Sequence, residues 1–157
     1  MIQIRRFQTV DGPAIVRLIS TVMEQEFPQS ASAFPTDDLT NISDIYGKLG
    51  EAFFVAYDGE KIVGTAGVKR EDERIALMRR VFVAPTHRNQ KIGMRLIERV
   101  IDFCKEVGYQ EVVFKTSSKM DAAIKLCQKN GFVQRAKLEM GGLELLKFVL
   151  AFNHSSK

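Results

Sequence analysis

The chain is poor in the residues that staple small proteins or hold metals: 157 residues include two cysteines and two histidines. Cys104 and Cys127 form no Cys-x-x-Cys pair, so neither a zinc site nor a disulfide framework is expected. No apolar run approaches membrane-spanning length, and the first residues lack the long apolar core of a secretory leader. A reducing cytoplasm is therefore the expected location, with no membrane partner and no metal. Internal repeats, low-complexity stretches and linkers are also missing, so residues 1–157 are read as one domain ending in a polar tail at 153–157. Basic residues outnumber acidic ones, 23 to 19, giving a net charge of +4 and a pI near 9.1. The two signs are interleaved rather than blocked, which excludes a basic arm. A phosphorylated cofactor suits this balance as well as a nucleic acid does.

What is present is a run of strand and helix signals. Ile2 to Phe7 alternates apolar and polar, as a half-buried strand does. Thr9 or Asp11 can cap a helix whose apolar face is Ile15, Leu18, Ile19 and Val22, with Pro13 in its first turn. The pattern breaks between Glu24 and Pro35, and a shorter helix is expected from about residue 36 to Lys48. Ala52 to Tyr57 and Lys61 to Val68 are strands joined by the hairpin signal Asp58-Gly59. A charged turn at Glu71 to Glu73 leads into a strand from Arg74 to Ala84. A helix from near Gly93 to Gly108 then precedes a strand at Glu111 to Lys115, which is the arrangement of a parallel βαβ unit. Ser118 and Asp121 resemble a capping box for a short helix ending at Asn130-Gly131. Phe132 to Phe152 reads as a hairpin turning at Gly141-Gly142. The sum is α/β with a mixed sheet.

The centre of the chain carries the chemistry. Val81-Phe82-Val83 favours a strand, Pro85 ends it, and His87, Arg88, Asn89, Gln90 and Lys91 fill a polar loop before the helix. The first amides of a helix have no partner within it, and the helix dipole favours negative charge there. With Arg88 and Lys91 added, phosphate is the natural guest.

Val81-Phe82-Val83-Ala84-Pro85, followed by Arg88-Asn89-Gln90-Lys91-Ile92-Gly93, resembles the Arg/Gln-x-x-Gly-x-Gly/Ala motif of the GNAT superfamily of N-acetyltransferases. Ala123-Ile124-Lys125-Leu126-Cys127-Gln128-Lys129-Asn130-Gly131-Phe132 is similar to that family's Ala-x-x-Leu-Tyr-x-x-x-Gly-Phe segment. The resemblance implies a mostly antiparallel sheet of about seven strands flanked by about four helices, splayed between the fourth and fifth strands. It also implies acetyl transfer from acetyl-coenzyme A to a primary amine of a small molecule or peptide, by direct attack. By the same resemblance Val81, Phe82, Val83, Arg88, Asn89, Gln90, Lys91, Ile92, Gly93 and Met94 would hold the coenzyme. The Val83 amide, or one close by, would polarise the thioester.

Two departures bear on mechanism. Lys91 stands where the loop's first glycine is expected. Cys127 stands where the family has a tyrosine that protonates the leaving thiolate, and it reads equally well as a small buried apolar residue. A lysine-like amine has a pKa near 10.4, so on the order of one molecule in a thousand is neutral at pH 7 and a base would help. Glu24, Glu26 and the acids of Glu71 to Glu73 are the candidates, while Leu77 occupies the strand position where many relatives carry glutamate. Glu24, Glu26, Phe27 and Phe34 lie in the segment that walls the acceptor pocket in relatives, and Tyr46 reads as core. The missing tyrosine and glutamate leave open a coenzyme-binding sensor without catalysis. A nucleic-acid binder is not expected, because Phe53, Phe54 and Phe82 sit in apolar runs. Relatives commonly form homodimers, and the last hairpin offers an edge for one.

Overall fold

Apolar runs and period-two alternation put several stretches of the chain into strands. The computed structural model, which describes residues 1–28 and 37–152, joins seven of them in one sheet. They are β1 (Ile2–Arg6), β2 (Ala52–Asp58), β3 (Lys61–Arg70), β4 (Ile75–Val83), β5 (Glu111–Ser117), β6 (Val133–Met140) and β7 (Leu143–Ala151), in the order β1-β2-β3-β4-β5-β7-β6. Every neighbouring pair is antiparallel except β4 and β5. The helices are α1 (Gly12–Glu26), α2 (Ile42–Ile45), α3 (Ile92–Val107) and α4 (Asp121–Lys129). The expected mixed sheet with four helices is thus the observed one.

Each sheet face has its own apolar layer. On one side Phe54, Val63, Ala66, Ala76, Met78, Val112, Phe114 and Phe148 pack with Leu96, Ile97, Val100 and Cys104 of α3. On the other, Phe53, Val55 and Ile62 pack with Ile15, Ile19 and Met23 of α1 and with Leu39, Ile42 and Tyr46. Phe53 and Phe54 are both buried, as their apolar runs implied.

Two local expectations are corrected. The helix expected up to Lys48 is, within the described residues, a 3₁₀ turn at Asp37–Leu39 and the single turn α2. Thr40 and Asn41 interrupt it, since both are weak helix formers and Thr40 Oγ1 donates to the Asp37 carbonyl instead. The capping box at Ser118 does not form. The helix starts at Asp121 without a side-chain cap, and Ser117 Oγ takes the Lys119 amide.

The β4–β5 pair positions the site. Its register runs from Ile75 opposite Glu111 to Met78 opposite Phe114 and stops there, although β4 continues to Val83 and β5 to Ser117. Beyond Met78 the strands part, and β5 keeps its other edge on β7 along its whole length. This is the expected splay. At the sheet's far margin β6 is exposed at all eight positions.

Three carboxylates tie loops and helices to this sheet. Burial pushes the Asp11 carboxyl up, but hydrogen bonds from the Arg5 guanidinium and the Gln8 amide outweigh it and hold the group below its usual range. The same balance holds for Glu51, which takes the Arg70 amide and Lys69 Nζ, and for Asp38, described below. Carboxylates with depressed folded values stabilise the fold fully above their unfolded values of 3.8 and 4.5 and lose that contribution as pH falls. The urea midpoint should therefore be level from neutral pH to about pH 6 and drop steeply toward about pH 3.

Candidate active site

At the point where the strands part, β4 bends. Thr65 of β3 lies opposite Phe82 and Gly67 opposite Arg79, so Ala66 faces two residues of β4, Arg80 and Val81. This is a β-bulge, with Arg80 at φ +58°. Strand alternation would send Arg80 to the α3 side with Ala76 and Met78. The left-handed residue turns it to the other face, where Arg80 Nε donates to Asp38 Oδ2 at 3.0 Å and Nη2 to Asp38 Oδ1. Tyr46 Oη donates to the same carboxylate at 2.6 Å, and Thr65 Oγ1 donates to the Arg80 carbonyl at 2.7 Å. Burial pushes the Asp38 carboxyl up, but the hydrogen bonds from Arg80 and Tyr46 and the charges of Arg80 and Arg79 hold it low. A left-handed residue with a side chain costs about 1–2 kcal/mol, and this buried network is what sustains it.

Beside the bulge opens a cleft of about 290 Å³. It runs along Leu77 to Phe82 of β4 and Val113 to Thr116 of β5, and Met120 and Ala123 close it. The Ala84 amide donates to the Val63 carbonyl on β3, so the Val83 amide and carbonyl point to the opposite edge, toward the parted strands. The Val83 carbonyl there accepts from Arg88 Nε and Nη2 at 3.3 and 3.2 Å.

The loop after Pro85 supplies free donors. Asn89 and Lys91 both have left-handed backbone, φ +65° and +63°, and Lys91 is the N-cap of α3. Lys91 therefore takes the glycine-like conformation that its motif position requires. Among the described residues, no acceptor pairs with the backbone amides of residues 88–94. Gly93 lies close under α4: a Cβ there would lie 2.6 Å from Leu126 Cδ1, so that side chain would have to shift. Ile92 is buried in the α3 layer, and Met94 Sδ accepts from Asn130 Nδ2.

The remaining sequence candidates scatter. Arg88 Nη1 donates to Glu26 Oε1 at 2.8 Å, which ties the loop to the end of α1 and occupies Glu26. Glu24 is exposed, and Phe27 packs against the α1 layer. Phe34 lies outside the described residues. Asp72 caps the Arg74 and Ile75 amides, and its neighbours Glu71 and Glu73 are exposed. Cys127 is fully buried in the α3 layer and lines no part of the cleft, and burial pushes its thiol up to about 12. Of its two readings, packing is the one this burial favours. Sequence reasoning missed Asp38 and Arg80. The signal was an aspartate in a polar turn and an arginine inside an apolar strand, which period-two spacing assigns to the core.

A bulged fourth strand, a splayed parallel pair and a helix whose first amides are free stand together at one point of the fold, and sequence comparison says to which family that fold belongs. The chain belongs to the acetyltransferase (GNAT) family, whose pattern matches residues 18–132. It is 35% identical over 111 residues to the probable N-acetyltransferase camello of Xenopus laevis, covering 68% of this chain and 50% of that one. It is likewise 35% identical over 101 residues to human N-acetyltransferase 8B, covering 60% and 44%. The chain thus spans about half the length of the curated relatives it matches. Among solved structures, a GNAT-family acetyltransferase from Staphylococcus aureus Mu50 superposes with a TM-score of 0.83 at 25% identity, covering 94% of this chain and 98% of that one. A putative acetyltransferase from Salmonella typhimurium, solved with acetyl-CoA, gives 0.83 at 20% identity with 99% and 96% covered.

Replacing Asp38 by asparagine removes the charge that faces a buried guanidinium and should cost about 3–5 kcal/mol in urea unfolding. The double change Asp38→Leu with Arg80→Met should recover much of that loss. The Cys104 and Cys127 thiols, both pushed up to about 12, should resist a thiol reagent at neutral pH until denaturant is added.

Proposed function

We propose that this domain transfers an acetyl group from acetyl-coenzyme A to a primary amine, by direct attack of the amine while both substrates are bound. The unpaired amides of residues 88–94, set at the start of α3 beside the parted strands, carry this reading. The residues fit the coenzyme: free donors and Lys91 suit its diphosphate, and the open edges of β4 and β5 suit its amide-bearing arm. Acetyl-coenzyme A supplies the acetyl group as an activated thioester.

In this reading Lys91 and the loop amides hold the diphosphate. Arg88 contributes its own amide, while its guanidinium braces the loop against Glu26 and the Val83 carbonyl. Val81, Phe82 and Val83 form the wall along which the arm runs, and the Val83 amide points into the gap to polarise the carbonyl oxygen. A donor fixed in a dry site is worth most where charge develops during attack. Cys127 takes no part in proton transfer. The Salmonella neighbour bound to acetyl-CoA and the N-acetyltransferase relatives support the reaction class.

A second reading, a coenzyme-binding sensor, draws support from the same Cys127. Its buried thiol replaces the tyrosine that protonates the departing thiolate in relatives.

The two are separated by titrating acetyl-coenzyme A and following thiol release over a panel of amines. The wild-type domain should bind the coenzyme and release thiol with at least one amine. Lys91→Glu should weaken coenzyme binding at least about tenfold, or about 1.4 kcal/mol. Binding without turnover on any amine would favour the sensor, and no binding would overturn both readings.

A further inference from the structure

The cleft between β4 and β5 has an unusual charge balance. Arg79 lies opposite Gly67, where a Cβ would meet the Tyr46 and Phe53 rings, so Arg79 stands on the α1–α2 face of the sheet. The bulge then turns Arg80 to that same face, placing two consecutive arginines where alternation allows one. On β5, Val112 and Phe114 enter the α3 layer, so Lys115 points to the α1–α2 face as well. Arg79, Arg80 and Lys115 all line the cleft, and no aspartate or glutamate does among the described residues.

Only one of these cations is neutralised. Arg80 takes both Asp38 oxygens, and Arg79 reaches that shared carboxylate only at 4.0 Å with its side chain 40% exposed. Lys115 has no carboxylate partner among the described residues. It also sits directly opposite Lys147 on β7, on the same face. Like charges in register destabilise a strand pair, and no acid intervenes. The next acid on this face of β5, Glu111, is four residues away, about 13 Å along the strand. A face that bears the cost of opposed cations beside a cleft is complementary to an anion.

We infer that Arg79 and Lys115, with Lys147 behind, form an anion subsite for the acceptor, and that the acceptor amine carries its own carboxylate, as a free amino acid does. This rests on the transferase reading and names its substrate class. It also accounts for the lack of an acid in the cleft. The acceptor is anchored by its carboxylate, and the surrounding positive charge favours the neutral, attacking form of its amine. A diamine or polyamine acceptor would be repelled by the same groups.

The test compares matched pairs, the free amino acids and their amides, by thiol release from acetyl-coenzyme A. At least one free amino acid should exceed its amide by tenfold or more in kcat/KM. Arg79→Gln and Lys115→Gln should each remove most of that preference by raising KM for the free acid at least several-fold more than for the amide. Amides equal to or better than acids, or a loss in the variants that is equal for both, would overturn the inference while leaving the transferase intact. If no amine turns over, N-acetyl amino acids and their amides titrated against the coenzyme-A-bound domain decide it. Tighter binding of the acids, lost in Arg79→Gln, upholds the anion subsite without the transferase, and equal binding sinks it.

Discussion

Asp38 is held on both of its oxygens, by the two ends of the Arg80 guanidinium and by the Tyr46 hydroxyl. That grip links the segment between α1 and β2 to the middle of β4. It also sustains the one residue of β4 with left-handed backbone. Without it, Arg80 would follow the strand period into an apolar layer, where a guanidinium has no partner. With it, β4 bends just past Met78, the last residue that pairs with β5. A gap between parallel strands leaves backbone groups without ladder partners, which is costly unless something else meets them. Arg88 meets part of that demand at the Val83 carbonyl. The amide-bearing arm of the coenzyme in the proposed function would meet the rest.

Most of the architecture was legible because it rests on signals that one or two residues carry. Gly59, Gly108, Gly131 and Gly141-Gly142 all adopt positive φ at the stops assigned to them. The helix α3 and the strands of its βαβ unit follow their apolar spacing. The short helix before β2 was overestimated, because Thr40 and Asn41 are neutral in pattern but compete locally for the backbone. The bulge was invisible for a different reason. Arginine is not a residue that favours left-handed backbone, and only a carboxylate 42 positions earlier in the chain makes it tolerable. Such a long-range ion pair leaves no local trace.

The site divides along the same line. The loop before α3 could be read from the sequence because its signal is contiguous: a strand, a proline, a polar turn and a helix start. The partners of the candidate acids could not. Glu26 pairs with Arg88, and Cys127 lies buried under the helix layer. Whether a titratable group serves chemistry or structure is set by its partners in space, and spacing along the chain does not encode them.

The outermost strand, β6, is bare on both faces, with one row of its peptide groups unsatisfied by any neighbour in the sheet. Such an open margin is the part of a β protein most exposed to stacking with other chains. Here Lys137 and Glu139 alternate with Leu138 and Met140, and a bulge at Arg135 breaks the edge between Gln134 and Ala136. A foreign strand laid against this rim would have to accept charges spaced along one side, so the ionic residues act as gatekeepers against indiscriminate self-assembly.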